Sequence, residues 1–361
     1  MALIFKTFER HIAREVYGAT ALVLVAFLML FSFFDLIYEF ESIGKGGYQL
    51  QHAVLYVLLL APGRSYELFP VAVLIGSLYA LTQLARHSEI TVLRTSGAST
   101  PSFLFALAKI GLPFVLATFL IGEFLAPASD KMAQQMRLSA MSQLVAQEFR
   151  TGLWVKDGKA FVNIRETTQE GGLRGIRIYQ FDQNFELQTI SDAETGEFRA
   201  PDLWDFRNVT KTTLKGDGAS IEQIPALSWR SDLNPDILAV LMVNPERMSI
   251  VRLYRYIEHL RLNQQKTDRY EIALWKKLVY PMACLVMMML ALPFAYLQDR
   301  TGAVSIKVFA GIMLGILFDM LNGLFSSLGV LNNWAPFVSA VTPSVLFILT
   351  ASAMLWFSER R

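Results

Sequence analysis

Six apolar segments, three on each side of a long polar block, constrain this chain more than any other feature of its sequence. A helix needs about 20 mostly apolar residues to cross a hydrocarbon core roughly 30 Å thick, and each segment approaches that length. They are Val16–Tyr38, Leu68–Leu84, Phe103–Phe124, Leu278–Leu297, Ala303–Phe325 and Phe337–Phe357. The pattern predicts an α-helical membrane protein with six transmembrane helices.

The polar block predicts a folded β-domain inserted between helices 3 and 4. Hydrophobicity alternates along it, and Asp157-Gly158 between two short apolar runs indicates a tight hairpin turn. About seven short strands without an intervening helix are typical of a β-sandwich or an open jelly roll. Helical periodicity over Ala128–Phe149 and Ser249–Asn263 predicts a helix leading into the domain and another leading back.

These patterns divide the chain into three parts. We expect transmembrane helices 1–3 in residues 1–127, the jelly-roll-like domain with its flanking helices in 128–270, and helices 4–6 in 271–361. The approach to the second span predicts an interfacial helix over Ala53–Ala61, a break at Pro62-Gly63, and a crossing helix from Leu68.

Basic residues in the short loops indicate the orientation of the chain. Lys6, Arg10 and Arg14 precede the first span, and Arg86 and Arg94 follow the second. Both termini are therefore predicted to be cytoplasmic, with the polar block on the opposite side of the membrane.

The sequence lacks the usual signatures of enzymes and of metal sites. A net charge of +2 on 361 residues argues against nucleic acid as a partner. Cys284 is the single cysteine, and the four histidines have no metal-ligand spacing. Neither a phosphate-binding P-loop nor a G-x-S-x-G nucleophile motif occurs. We expect a protein that is not an enzyme, with no cofactor and no metal.

The loop Ala85–Ser99 is the richest short segment of the sequence. Ile90, Leu93 and Arg94 fall at positions i, i+3 and i+4, which predicts a short amphipathic helix within residues 86–97. Such a helix presents Glu89 and Arg94 to the cytoplasm, where a partner's charges can pair with them. The residues alone also allow a helix that only joins two spans, with Arg86 and Arg94 at lipid phosphates.

Three parts of the sequence together resemble a known family of membrane proteins. Glu89–Ser99, Trp275–Pro281 and Leu290–Phe294 resemble the LptF/LptG permease family, the membrane subunits of the bacterial lipopolysaccharide exporter. The resemblance covers the whole chain. It implies a permease subunit of an ABC-type exporter in the inner membrane, which extracts lipopolysaccharide from the outer leaflet and passes it to a periplasmic bridge.

The resemblance also implies the partners of such a subunit. Gly152–Gly158 resembles one branch of the family more than the other, so the implied heterodimer partner is LptF. An LptB dimer would bind the ATP, and LptC and LptA would receive the lipopolysaccharide from the periplasmic β-domain. Membrane lipid surrounds the spans.

Two groups of site residues follow from the resemblance. A coupling helix seated in a groove of LptB would use Arg86, Glu89, Ile90, Leu93 and Arg94. Arg137 matches a position at which the family contacts lipopolysaccharide, and Lys131, Arg64 and Lys45 would add lipopolysaccharide contacts by their place at the same membrane level. The residues alone also allow Arg137, Lys131 and Arg64 only to extend to the membrane interface. The first span departs from the family, because Asp35 and Glu41 stand where relatives have lysines.

Asp35 and Asp319 are predicted at the gate of the lipid cavity. An ionised carboxylate within a span is costly, so Asp319 either faces the cavity or lies near the outer surface, hydrogen-bonded to Asn322 or to another neighbour. Two other functions remain open. One is a mechanotransmission or scaffold subunit that is moved by a separate ATPase and carries no lipid. The other is a membrane enzyme, which would need Asp319 beside Arg64 or Glu67 in a buried pocket.

Overall fold

The computed structural model describes residues 7–45, 47–97, 99–140, 152–167, 172–182, 186–199, 203–215, 218–231, 245–296 and 304–359. Ten α-helices lie within these ranges. They are α1 (Thr7–Phe40), α2 (Leu50–Arg86), α3 (Glu89–Thr95), α4 (Thr100–Leu120), α5 (Ala126–Ala140), α6 (Ile250–Leu262), α7 (Asp268–Val279), α8 (Ala283–Tyr296), α9 (Val304–Leu331) and α10 (Pro336–Glu359). A π-helical turn, Ile121–Leu125, joins α4 to α5, and a 3-10 turn, Tyr280–Met282, joins α7 to α8.

Six helical stretches are long and apolar enough to cross a membrane, which confirms the predicted number of spans. They are Phe8–Phe40, Leu50–Arg86, Thr100–Arg137, Asp268–Tyr296, Ser305–Leu331 and Pro336–Phe357. The first helix has 34 residues, which at 1.5 Å per residue is about 51 Å. Several helices therefore continue well beyond a bilayer core of about 30 Å.

The predicted break before the second span is wrong, because α2 is one helix from Leu50 to Arg86 with Pro62 and Pro70 inside it. Helix α5 packs along the first half of α2, where Tyr56 and Leu60 are buried against Ala133. This packing offsets the helix-breaking cost of an internal proline, about 3 kcal/mol.

Helix α1 crosses α2 at a point of very close approach. A Cβ atom on Gly76 of α2 would lie only 2.6 Å from the backbone N and Cα of Thr20 in α1. Small residues allow such crossings in membrane bundles, where van der Waals packing holds helices together. Gly76 therefore fixes the position at which α1 meets the bundle.

A six-stranded antiparallel sheet lies between α5 and α6, so the predicted β-domain insertion between helices 3 and 4 is confirmed. The strands pair in sequence order. They are β1 (Leu153–Asp157), β2 (Ala160–Thr167), β3 (Leu173–Phe181), β4 (Leu187–Arg199), β5 (Leu203–Lys215) and β6 (Gly218–Arg230). The core on one face of this sheet includes buried Ile164, Ile176, Ile178, Trp204 and Phe206.

The described strands are fewer and longer than predicted. The sequence indicated separate strands at Leu187–Ser191 and Glu197–Ala200, whereas β4 runs without interruption to Arg199 and pairs with β5 along that length. Ala200 lies outside the described residues. The polar Asp192 and Glu194 stay in β4 because they lie on its exposed or partly exposed positions. Asp192 pairs with Thr210 of β5, and the Glu194 side chain accepts a hydrogen bond from Asn208 of β5.

The first hairpin forms at the predicted place, with its turn one residue later. Asp157 pairs with Ala160, so Gly158 and Lys159 make the turn, and Gly158 has a φ of 57°. The Gly158 N–H donates to Oδ1 of Asn263 at 2.7 Å, just after the end of α6. The sheet is thereby bonded to the helix that leads back to the membrane.

Both helices that flank the sheet were predicted. Ser249 caps α6 by accepting from the Arg252 N–H at 3.3 Å, which agrees with the predicted start of that helix. The predicted entry helix, Ala128–Phe149, is described as far as Ala140 in α5. Its continuation to Phe149 lies outside the described residues.

Candidate functional sites on the first helix

The short helix α3 lies in the loop that sequence analysis singled out. It spans Glu89–Thr95, with Ser88 before it and Gly97 after it in left-handed conformations (φ of 62° and 98°). The predicted range of 86–97 is therefore too long, since Arg86 is the last residue of α2 and is exposed. Ile90 is buried and Leu93 packs partly against the bundle core. These two residues anchor α3 on the bundle.

Both charged residues predicted to face a partner contact this chain. Glu89 Oε2 lies 3.0 Å from Nε2 of His11 in α1, with both side chains about half exposed. The Arg94 guanidinium lies over the Tyr296 ring, 4.7 Å from its centroid. Helix α3 is thus tied to α1 through Glu89 and to the end of α8 through Arg94. Sequence reasoning missed His11 and Tyr296, because neither belongs to a motif.

A cavity of about 280 Å³ opens beside the His11–Glu89 pair. Phe8 and Ile12 of α1, Leu84 of α2 and Leu93 of α3 contribute its apolar lining. The His11–Glu89 pair thus lies at the edge of an apolar depression, an arrangement that suits a partner's apolar side chain beside a polar group.

The second half of α1 packs against the rest of the chain along one partly buried face and leaves its other faces exposed. No residue of α1 between Thr20 and Glu39 is buried. Leu22, Met29 and Phe33 are more than half exposed. Together with α9, α1 is the least buried of the spans. Two apolar helix faces are therefore available to lipid or to another membrane subunit.

Asp35 forms an ion pair with Arg64 that joins α1 to α2. The Arg64 Nη2 donates to Asp35 Oδ1 at 2.7 Å and its Nε donates to Oδ2 at 3.0 Å, which is the bidentate geometry of a strong pair. Glu67 accepts a third bond from Arg64 Nη1 at 3.1 Å. Arg64, predicted to contact lipid phosphate, is thus bonded to two carboxylates of its own chain.

Arg137 of α5 forms a similar ion pair, with Glu39 near the end of α1. Its Nη2 lies 3.3 Å from Glu39 Oε1, and its guanidinium is 5.1 Å from the Tyr56 ring centroid. The Tyr48 hydroxyl donates to Glu39 Oε2 at 3.1 Å. Burial, and then the negative charge of Glu39, raise the pKa of Tyr48, so the phenol keeps its proton and remains a donor.

The remaining predicted site residues are exposed. Lys45 follows α1, Lys131 lies on α5, and neither is buried. Asp319 is exposed on α9. The proposed hydrogen bond from Asn322 to Asp319 is not formed in the described residues, since the buried Nδ2 of Asn322 has no partner there.

A polar cluster at the end of the bundle near the sheet was not predicted. Glu123, in the π-helical turn, accepts from the Ile250 N–H at 2.8 Å and so caps the start of α6. The buried Lys277 donates to the Met248 carbonyl. The buried Asp130 carboxylate lies 3.9 Å from Arg247 Nη1, yet it accepts no hydrogen bond in the described residues. Charged residues at the ends of apolar segments are the sequence signal that could have located this cluster.

Comparisons with known proteins cover almost the whole chain. Residues 10–357 match the family model described as lipopolysaccharide export system permease LptF/LptG. The LptG permease protein of Haemophilus influenzae is 31% identical over 354 residues, covering 98% of each chain. The LptG permease protein of Escherichia coli K12 is 30% identical over 359 residues, covering 99% of each chain.

Proposed function

Since this chain belongs to the LptF/LptG family of lipopolysaccharide export permeases, we propose that it is the permease subunit of an ABC-type exporter in the bacterial inner membrane. In this role it extracts lipopolysaccharide from the outer leaflet and passes it to a periplasmic bridge. The observation that carries this proposal is the double attachment of α1. Its first turns contact α3 through His11 and Glu89, and its far end carries the Asp35–Arg64 and Glu39–Arg137 pairs.

The α3 end of the bundle is the side that the ATPase contacts in this proposal. LptB binds and hydrolyses the ATP, and its closure moves α3. Ile90 and Leu93 hold α3 on the bundle, so α3 moves together with its neighbouring helices. Glu89 is 41% exposed and can share its carboxylate with a basic residue of the ATPase. Breaking a partly desolvated charge pair at such an interface costs roughly 2–5 kcal/mol, which is enough to transmit motion.

The exposed faces of α1 and α9 are where the second permease subunit packs. In the proposed heterodimer with LptF, span one of each subunit meets span five of the other and they enclose an outward-facing cavity. The exposed apolar side chains of α1 contact the acyl chains of the lipid. Arg64, Arg137, Lys131 and Lys45 contribute positive charge near the outer leaflet.

The sheet lies on the periplasmic side, and both termini lie in the cytoplasm. Strands β1 and β6 are the edges of the described sheet, and an edge strand offers unpaired backbone groups to an added strand. LptC and then LptA receive the lipid by this route.

Reconstitution with LptF and LptB in proteoliposomes, followed by ATP-dependent release of lipopolysaccharide, tests the proposal. Glu89→Lys should abolish release. The matched control is Glu258→Lys, which reverses an exposed charge on α6 and should leave release unchanged. Normal release from the Glu89→Lys protein would contradict the assigned coupling.

A photocrosslinker at Phe33 separates the transporter from the scaffold alternative. Phe33 is 59% exposed on the second half of α1, so a transporter should crosslink lipopolysaccharide there before ATP is added. A subunit that only transmits motion would crosslink membrane phospholipid at Phe33 and no lipopolysaccharide.

A further inference from the structure

The second half of α1 is attached to the described part of the chain by one partly buried face and by charge. Thr20 is the last buried residue before a run of positions that are exposed or partly exposed up to Glu39. At Thr20 the helix crosses α2 against Gly76, with backbone in contact. Beyond that crossing, the Asp35–Arg64 and Glu39–Arg137 pairs join α1 to α2 and α5. Helix α1 therefore has a fixed crossing and, beyond it, an end held by ion pairs.

The group formed by Arg64, Asp35 and Glu67 carries an excess of negative charge. Asp35 occupies the Nε and Nη2 side of the guanidinium, and Glu67 occupies Nη1. One cation and two carboxylates leave the group with a net charge of −1. A phosphate that approaches Arg64 therefore meets a guanidinium whose best bidentate side is already occupied.

We propose that Asp35 is a built-in counter-ion of Arg64, that a phosphate group of the transported lipid replaces it, and that this replacement loosens the second half of α1 from α2. The proposal rests on the proposed function and describes how that lipid site is regulated. With this exchange, an acidic residue can lie on a surface that also binds an anionic lipid.

The chemistry of the guanidinium supports an exchange of one ligand for the other. Carboxylate and phosphate both accept two parallel N–H bonds from the same side of an arginine, so one can take the place of the other without a new geometry. The Asp35 side chain is 18% exposed, so water can reach the carboxylate as it leaves. Glu67 stays on the same helix as Arg64 and keeps the guanidinium oriented during the exchange.

The test uses the complex with LptF and LptB in lipid nanodiscs. Spin labels at Tyr38 and Leu58, which are 73% and 63% exposed, report the distance between α1 and α2. Binding is measured with lipopolysaccharide that carries its lipid A phosphates and with the same material after phosphatase treatment. The variant is Asp35→Asn, which keeps the shape of the side chain and removes its charge. The control is Glu258→Gln, which removes an exposed charge on α6.

Phosphorylated lipid should shift the label distance in the wild-type complex, and the dephosphorylated lipid should not. Asp35→Asn should show the shifted distance without lipid. It should also bind the phosphorylated lipid about tenfold more tightly, which is the scale of one charge-assisted bond. Glu258→Gln should behave as the wild type in both measurements.

Failure of the proposed function can be distinguished from failure of the counter-ion role. A wild-type complex that binds no lipopolysaccharide would contradict the proposed function itself. A complex that binds it normally, while Asp35→Asn matches Glu258→Gln in distance and affinity, would overturn the counter-ion role alone. Weaker binding by Asp35→Asn would also overturn it, because Asp35 would then be holding Arg64 in place for the lipid.

Discussion

Nε2 of His11 lies 3.0 Å from Oε2 of Glu89, so the first helix and the short helix α3 share a direct side-chain contact. Helix α1 is about 51 Å long by the rise of an α-helix, and its opposite end carries Asp35 and Glu39. A displacement of α3 therefore acts on the same helix that carries the proposed lipid contacts. A continuous helix of this kind can carry coupling between distant sites.

Replacing His11 with alanine should weaken this coupling with little loss of stability. The pair is about half exposed, and exposed ion pairs contribute only about 0.2–1 kcal/mol to folding. We expect His11→Ala to lower ATP-dependent lipid release severalfold at an unchanged ATPase rate, and His11→Gln to restore much of it through a hydrogen bond. Equal losses of release and ATPase activity would instead indicate a defect in assembly with LptB.

A methyl group at Gly76 should disturb the crossing of α1 and α2. The Cβ of Gly76→Ala would lie 2.6 Å from the backbone of Thr20, which can yield only if a helix moves. Overpacking of this kind typically costs about 1–3 kcal/mol. Gly18→Ala on α1 is the matched control, because a Cβ there meets nothing within 4 Å. Thermal unfolding in detergent should therefore separate the two variants, and equal melting temperatures would refute the tight crossing.

Removing the Asn263 side chain should loosen the sheet from the return helix. Asn263→Ala loses the acceptor for the Gly158 N–H, a bond of 2.7 Å. Hydrogen exchange of the 156–160 turn should become faster, while the core strands β3 and β4 keep their protection. Asn332→Ala is the comparison, since among the described residues its side chain bonds only the Leu328 carbonyl in the last turn of α9. Unchanged exchange at the turn would show that the sheet is held elsewhere.

Neutralising Asp130 should stabilise the protein. Its carboxylate is buried, accepts no hydrogen bond in the described residues, and has only a long contact of 3.9 Å to Arg247. A buried group left without its hydrogen bonds costs about 1–3 kcal/mol, and a charged one costs more. Asp130→Asn should therefore raise the midpoint of thermal unfolding. A lower midpoint would mean that the attraction to Arg247 outweighs the cost of burying the charge.

The fold followed from segment length and hydrophobic period, whereas the partners of charged residues did not. The spans were predicted because about 20 apolar residues leave few alternatives in a bilayer. The break at Pro62-Gly63 was wrong because packing of α5 against α2 outweighs a local preference. Glu89 and Arg64 were selected correctly as notable residues, but their contacts with His11 and Asp35 depend on how whole helices cross. No pattern in a single stretch of sequence reports that crossing.

The order of the strands has a consequence for how the chain is made. Each strand from β2 to β6 pairs with the strand synthesised just before it, so no described strand waits for a distant segment. Contacts between neighbours in sequence form quickly, because little loop entropy is lost when they meet. Strand pairing needs nothing beyond Arg230, so the sheet can assemble during synthesis, before the last three spans leave the ribosome. The first half of the bundle can then receive its second half with the inserted domain already folded.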